Sequence, residues 1–347
     1  YRPVGEYYNG PPLQASDGIV FLGLTGALDG TYGKIKGLAL DDYCKSTPPA
    51  GNGGQPAPRG GANPCATGCA GSIGDPHLQA INDQWYEFQG AGEYTLLRSA
   101  DGSMEMQARQ VPFTGDISNV SINTALAWKV AGHRVGMYAN QGSNTYSLSL
   151  DGNPVDATTL GTMDLGDGAA LTAMVGGIEV AYPDGTLSTA IFHGGEFIGA
   201  LDLQVVPSRT FASQAVGLLG PIDQTSELPA LPDGTILARS HDPTQRFDQR
   251  YKQLGPAWLV TDQSTLFDYQ AGETTATFYK PDFPGPETTL DIDVNDLQLL
   301  QGADTFADAS AQCAGVQADQ NAFTKCVFDV MTTGDPMWAG FYAILED

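Results

Sequence analysis

Val120-Ser121-Ile122-Asn123-Thr124-Ala125-Leu126-Ala127-Trp128-Lys129-Val130 is the stretch on which the fold turns. Val120, Ile122, Thr124, Leu126, Trp128 and Val130 recur at every second position, with polar or small residues between them. A period of two places such residues on one face of an extended chain, so the pattern predicts a half-buried strand. Tyr146, Leu148 and Leu150 repeat it and run into Asp151-Gly152. Further Asp-Gly steps begin at Asp101, Asp167, Asp184 and Asp233. This dipeptide readily takes the positive φ angles that tight hairpins need. Short alternating strands separated by such turns predict a mainly β chain from 85 to about 262, an antiparallel β-sandwich or barrel with no helix interrupting it.

Outward from this region the composition changes. Residues 48–71 are dominated by Pro, Gly, Ala and Asn without apolar periodicity, the composition of a linker. They separate an irregular N-terminal arm, 1–47, from the β region, and the arm carries one strand-like run at 18–23. After residue 262 the pattern gives way to a C-terminal extension, 263–347. There Asp291-Ile292-Asp293-Val294-Asn295-Asp296 precedes Leu297, Leu299 and Leu300 as a helix cap would, and a second short helix is expected around 322–330. The fold expected is thus a β-sandwich with a small helical appendage. Asp291-x-Asp293-x-Asn295 imitates the start of a calcium-binding EF-hand loop. Asp296 and Gly302 occupy the places that need glycine and a bidentate glutamate, so an N-cap is the better account.

Sixteen basic residues against forty acidic ones give a net charge of −24. Such a surface repels phosphate backbones and argues against a nucleic-acid partner. No apolar run approaches the roughly 18 residues that would read as a membrane span, and Tyr1-Arg2-Pro3 does not open a signal peptide, as expected of a processed product. Five cysteines are present, Cys44, Cys65, Cys69, Cys313 and Cys326. Their spacing is not that of a zinc ribbon; Cys313 with Cys326 is a reasonable disulfide, and Cys44 pairs with Cys65 or Cys69. An oxidising, extracytoplasmic compartment follows. His77, His133, His193 and His241 are scattered without the helical spacing or acidic neighbours of a zinc or triad site, and no hydrolase constellation is expected.

Residues 73–96 open with Gly74-Asp75-Pro76-His77 and end near Gly92-Glu93-Tyr94. Val216-Gly217-Leu218-Leu219-Gly220-Pro221-Ile222-Asp223, Leu231-Pro232-Asp233-Gly234-Thr235 and Gly255-Pro256-Ala257-Trp258 follow in order. This series resembles the von Willebrand factor type D domain, a secreted β-rich module, over about 72–262, with Leu219 where the family has a cysteine. The extension resembles a reduced version of the cysteine-containing companion module that follows some type D domains.

The resemblance implies an extracellular or cell-surface structural and adhesive module, not an enzyme, whose partners are other copies of itself or neighbouring extracellular proteins. It implies a calcium ion held by Asn82, Asp83, Asp223 and Glu227, although Pro221 and Gln224 stand where the family has an Asn ligand and a glycine. Some mucin-like relatives cleave themselves at the Asp-Pro bond, which here places Asp75, Pro76 and His77 in a self-processing site. Ostracod luciferases use the same scaffold, so an oxidative enzyme is the remaining alternative.

Overall fold

The computed structural model describes residues 69–113, 119–194, 199–286, 305–317, 320–334, 336, 338–339 and 342. The N-terminal arm with Cys44, its strand-like run at 18–23, most of the linker with Cys65, and the cap at 291–296 lie outside the described residues. Fourteen strands form two antiparallel sheets among the described residues. In chain order they are β1 (Ala70–Ile73), β2 (His77–Gln79), β3 (Trp85–Glu87), β4 (Gly92–Arg98), β5 (Glu105–Pro112), β6 (Ser121–Val130) and β7 (His133–Asn140). They continue with β8 (Thr145–Leu150), β9 (Asn153–Val155), β10 (Thr162–Gly166), β11 (Ala169–Met174), β12 (Gly177–Ala181), β13 (Leu187–Gly194) and β14 (Gly199–Val206). One sheet runs β10-β11-β12-β13-β14-β1-β2-β3, the other β4-β5-β6-β7-β8-β9. The mainly β, two-sheet architecture expected from the alternation is the one observed.

The main core lies between the sheets. Leu126, Trp128, Val135 and Met137 from the six-stranded sheet share one buried cluster with Leu78, Val180, Leu201 and Leu203 from the eight-stranded one. Polar bonds that cross this layer fix how the sheets face each other. Trp128 Nε1 donates to Ser188 Oγ at 2.8 Å, and Asn123 Nδ2 donates to Ser72 Oγ at 2.9 Å. The turns follow the sequence: Asp151 and Asp167 take φ of 52° and 54°, each followed by a left-handed glycine.

Strand β6 departs from the half-buried expectation, because both of its faces are covered. Leu126, Trp128 and Val130 enter the intersheet core, while Ala125 and Ala127 on the other face pack against Phe267. The covering segment begins at Trp258–Val260, which pairs with the free edge of β4: Thr95 N donates to Trp258 O at 3.0 Å and Val260 N to Glu93 O at 2.8 Å. An alanine-lined strip is what lets that segment lie close to the sheet.

The absence of helix between 85 and 262 needs correction. Short helices occupy Arg209–Ala212 and Pro243–Phe247, and the second continues through a π-helical stretch, Asp248–Leu254, into Gly255–Ala257. Asp242 caps it by accepting from Gln245 N, with Pro243 in the first turn. That Asp-Pro start signal was readable in the sequence. After the strands, helices at Phe306–Gln312 and Gln320–Thr333 flank a 3-10 turn at Cys313–Val316. The Cys313–Cys326 disulfide joins them. These helices bury a second cluster, with Val327, Val330 and Met331 against Ile73 of β1 and Ile122 of β6.

Trp128 is fully buried at the centre of the sandwich. Trp128→Ala removes its packing and orphans Ser188, and is expected to cost about 3–5 kcal/mol, read from urea unfolding midpoints.

Candidate functional site

Gly74-Asp75-Pro76 forms the tip of the hairpin between β1 and β2, whose register pairs Ile73 with His77. Gly74 takes φ of 68°, and a Cβ there would lie 2.2 Å from Asp329 Oδ2 and 3.0 Å from the Tyr342 hydroxyl. Glycine is therefore required twice, by backbone conformation and by the close approach of the C-terminal helices. Gly74 N donates to Asp202 Oδ1 at 2.8 Å, which ties the tip to β14.

His77 stands directly opposite Glu87 in the β2–β3 register. Its Nδ1 bonds the Glu87 carboxylate. Its Nε2 lies 2.7 Å from Asp75 Oδ1 and 3.2 Å from Asp329 Oδ1. Lys325, one helical turn before Asp329 on Gln320–Thr333, reaches the other oxygen of Glu87. Tyr342 donates to Asp329 Oδ2 at 2.8 Å. His77 and Asp329 are each 1 % exposed and Asp75 is 5 % exposed, so this is an almost dry cluster of charges.

In so dry a place the ionised groups must be those with partners. Burial works against charge on Glu87, but His77 and Lys325 overcome it and bring the carboxyl down from 4.5 to about 2. Burial also works against a charged His77, yet the Glu87 carboxylate overrides it and raises the imidazole above 6.5. Burial lifts Asp75 well above the usual carboxylate range, and the charge of Glu87 adds to the shift. Asp329 rises for the same reason, with Asp75 next to it as the second cause. The partners thus favour a His77–Glu87–Lys325 ionic chain, while burial favours the protonated forms of Asp75 and Asp329 beside it.

The spacing of the four histidines gave no sign of this. Apart from Asp75, two residues before His77, their acidic neighbours come from cross-strand pairing and from 252 residues away. His193 likewise lies 3.2 Å from Asp202 across β13–β14, and His133 lies 2.8 Å from Asp151 across a hairpin. The expectation of histidines without acidic neighbours is therefore corrected for these three. Glu87 was detectable in principle, as the acid facing His77 across a short hairpin; Lys325 and Asp329 were not.

The residues proposed for calcium are partly brought together. Asn82 clamps the later loop, donating to Ile222 O at 3.0 Å and accepting from Ile222 N at 3.1 Å. Asp83 accepts from Cys69 N at 3.3 Å, Asp223 accepts from Thr225 N at 2.8 Å, and Glu227 pairs with Arg239 and Arg246. Each of the four thus serves polypeptide partners. Among the described residues, the group whose ligand atoms lie within 4.8 Å of one another is Asp75, His77 and Asp329. A histidine nitrogen and two carboxylates form a donor set a divalent cation could use, in competition with the protons that burial favours on the carboxyls. Cys69 is disulfide-bonded, as are Cys313 and Cys326.

A separate concavity of about 1020 Å³ lies on the outer face of the six-stranded sheet. The Arg109 guanidinium there lies 3.7 Å from the Phe278 ring centroid and bonds Glu93 at 2.7 Å, while Asp268 binds Arg134. Its lining is a mixture of aromatic rings and paired charges.

No family model matches this chain. It is similar to human (Homo sapiens) Sushi domain-containing protein 2, with 26% identity over 263 residues. The match covers 71% of this chain and 30% of that protein, so the chain corresponds to under a third of the relative's length.

The cluster makes stability pH-dependent with a definite sign. Asp75, Asp329 and His77 have raised values, so their contribution is present at low pH and is lost as pH rises through them. Glu87 is lowered, so its contribution is present above 4.5 and is lost as pH falls towards about 2. The site is expected to be most stabilising near pH 4, between 3.8, where the loss from Asp75 and Asp329 begins, and 4.5, where the gain from Glu87 is complete. Urea midpoints of the wild type should fall from that window towards pH 8, and Asp329→Asn should flatten the slope.

Proposed function

We propose that this chain is an extracellular structural module, built on a type D-like plan, that processes its own backbone at Asp75–Pro76. The observation that carries the reading is the 2.7 Å approach of His77 Nε2 to the Asp75 carboxyl inside a buried hairpin tip. The likeness to a Sushi domain-containing protein and the disulfides support an extracellular setting.

The chemistry uses groups already present. A carboxyl oxygen of Asp75 bonds to the main-chain carbonyl carbon of the same residue and closes a five-membered ring. The bond from that carbon to Pro76 nitrogen breaks. The nitrogen belongs to a tertiary amide with no hydrogen of its own, so it must receive a proton to leave. His77 gives its Nε2 proton to this nitrogen and takes up in its place the proton released by the Asp75 carboxyl, which balances the step. Residue 75 is left as a cyclic anhydride, which one water opens to two carboxyls, and Pro76 becomes a new amino terminus. His77 is poised for the relay because the Glu87 carboxylate favours its charged form and holds its Nδ1.

The break falls in a turn, and β1 remains paired on both sides, with β14 and with β2. The two pieces are therefore held together by sheet hydrogen bonds after the cut. A surface of net charge −24 suits a dispersed module that assembles with protein partners, other copies of itself among them, and not with nucleic acid.

Intact-mass measurement of the full chain under denaturing conditions, after incubation from pH 5 to pH 8, tests this. Two fragments ending at Asp75 and beginning at Pro76, together heavier than the chain by one water, are expected, and Asp75→Ala should stay whole. A wild-type chain that remains whole throughout would refute self-processing.

A further inference from the structure

Gln89 lies just beyond β3, and its side-chain Nε2 donates to the main-chain oxygen of Asp75 at 3.3 Å. That oxygen belongs to the carbonyl which Asp75 would attack. Resting on the self-processing reading, we infer that Gln89 is a further catalytic residue, the donor that holds this carbonyl and stabilises its oxygen as the carbon becomes tetrahedral.

The direction of the amide is fixed by chemistry. Gln89 Oε1 accepts from the backbone N–H of Ser121 at 2.7 Å, and a backbone N–H can only be met by an acceptor. The oxygen end of the amide is thereby committed to β6, and the NH2 end faces Asp75. The main chain of Gln89 is held as well, its N–H donating to the Tyr251 hydroxyl at 3.1 Å. Gln89 is 5 % exposed and Ser121 is fully buried, so the donor neither swings into water nor competes with it.

As the ring closes, the Asp75 carbonyl oxygen gains negative charge. A preoriented donor in a water-poor place stabilises that charge far more than it stabilises the resting carbonyl. Lys325 is engaged with Glu87, which leaves the neutral amide to serve the oxygen. Gln89 forms no covalent bond and transfers no proton. When the bond to Pro76 breaks, the carbonyl becomes planar again as part of the anhydride and the hydrogen bond relaxes.

The test compares the full wild-type chain with Gln89→Met and Gln89→Glu, following fragment formation by intact mass from pH 5 to pH 8 with urea midpoints alongside. Gln89→Met keeps the length of the side chain without the donor and should slow cleavage about a hundredfold. Gln89→Glu keeps the acceptor for Ser121 N–H but turns a carboxylate towards the carbonyl. It should be as slow at neutral pH and recover as falling pH protonates the new carboxyl, a profile that a packing role would not produce. A folded Gln89→Met chain cutting at the wild-type rate removes Gln89 from the reaction and leaves self-processing intact. If that variant does not fold, a Gln89→Glu pH profile parallel to the wild type overturns the role equally. An uncut wild type overturns both readings together.

Discussion

A charged imidazole that cannot reach water must have its counter-ion placed for it, and the contact between His77 and Glu87 meets that demand. The two residues face each other in the short β2–β3 register, so the pair forms whenever that hairpin forms. Glu87 then has a second oxygen to satisfy, and Lys325 of the C-terminal helix supplies the cation. The ionic chain therefore links the end of one sheet to the helical layer. Removing one member would leave a buried charge unpaired, a loss of about 3–5 kcal/mol. Docking of the helix, the room available at Gly74 and the protonation of Asp75 and Asp329 all depend on this arrangement.

The surrounding sandwich is organised so that polar groups decide registry while apolar groups supply the driving force. Trp128 bonds Ser188, and Asn123 bonds Ser72 and Leu201, across a largely apolar interface. Each would be costly to leave unmade in a shifted packing. On the far side of the six-stranded sheet, the strand-like pairing of Trp258–Val260 closes the β4 edge and directs Phe267 onto Ala125 and Ala127. What the sequence suggested was an appendage after residue 262 is in part a cover for that sheet.

Much of the fold was legible because strands announce themselves locally. The alternation through 120–130 and the Asp-Gly turns identified antiparallel sheets, and Cys313 with Cys326 was recognisable as a pair flanking a short segment of a helical hairpin. The second buried face of β6 was signalled only by two alanines, which alternation treats as neutral. The site was less legible. Asp75 and His77 stood out as a motif, but the groups that set their protonation sit on another strand and on a helix 252 residues later. Spacing along the chain carries no record of such contacts. Asn82 illustrates the converse: it was chosen as a metal ligand, and it does reach the 222 loop, but through its own pair of hydrogen bonds with Ile222.

Strand β1 is only four residues long, yet it lies inside the eight-stranded sheet, with ladders on both flanks. Pulling along such a strand loads all of its hydrogen bonds at once, in shear, instead of peeling them off one by one. Those bonds lie beside a covalent chain that doubles back at the Asp75–Pro76 turn. With the turn intact, tension on the chain passes through the peptide backbone. With the turn opened, the same tension rests on the sheet and on the packing of Ile73 beneath the C-terminal helices. One peptide bond thus separates a permanent mechanical joint from one that yields at a finite force.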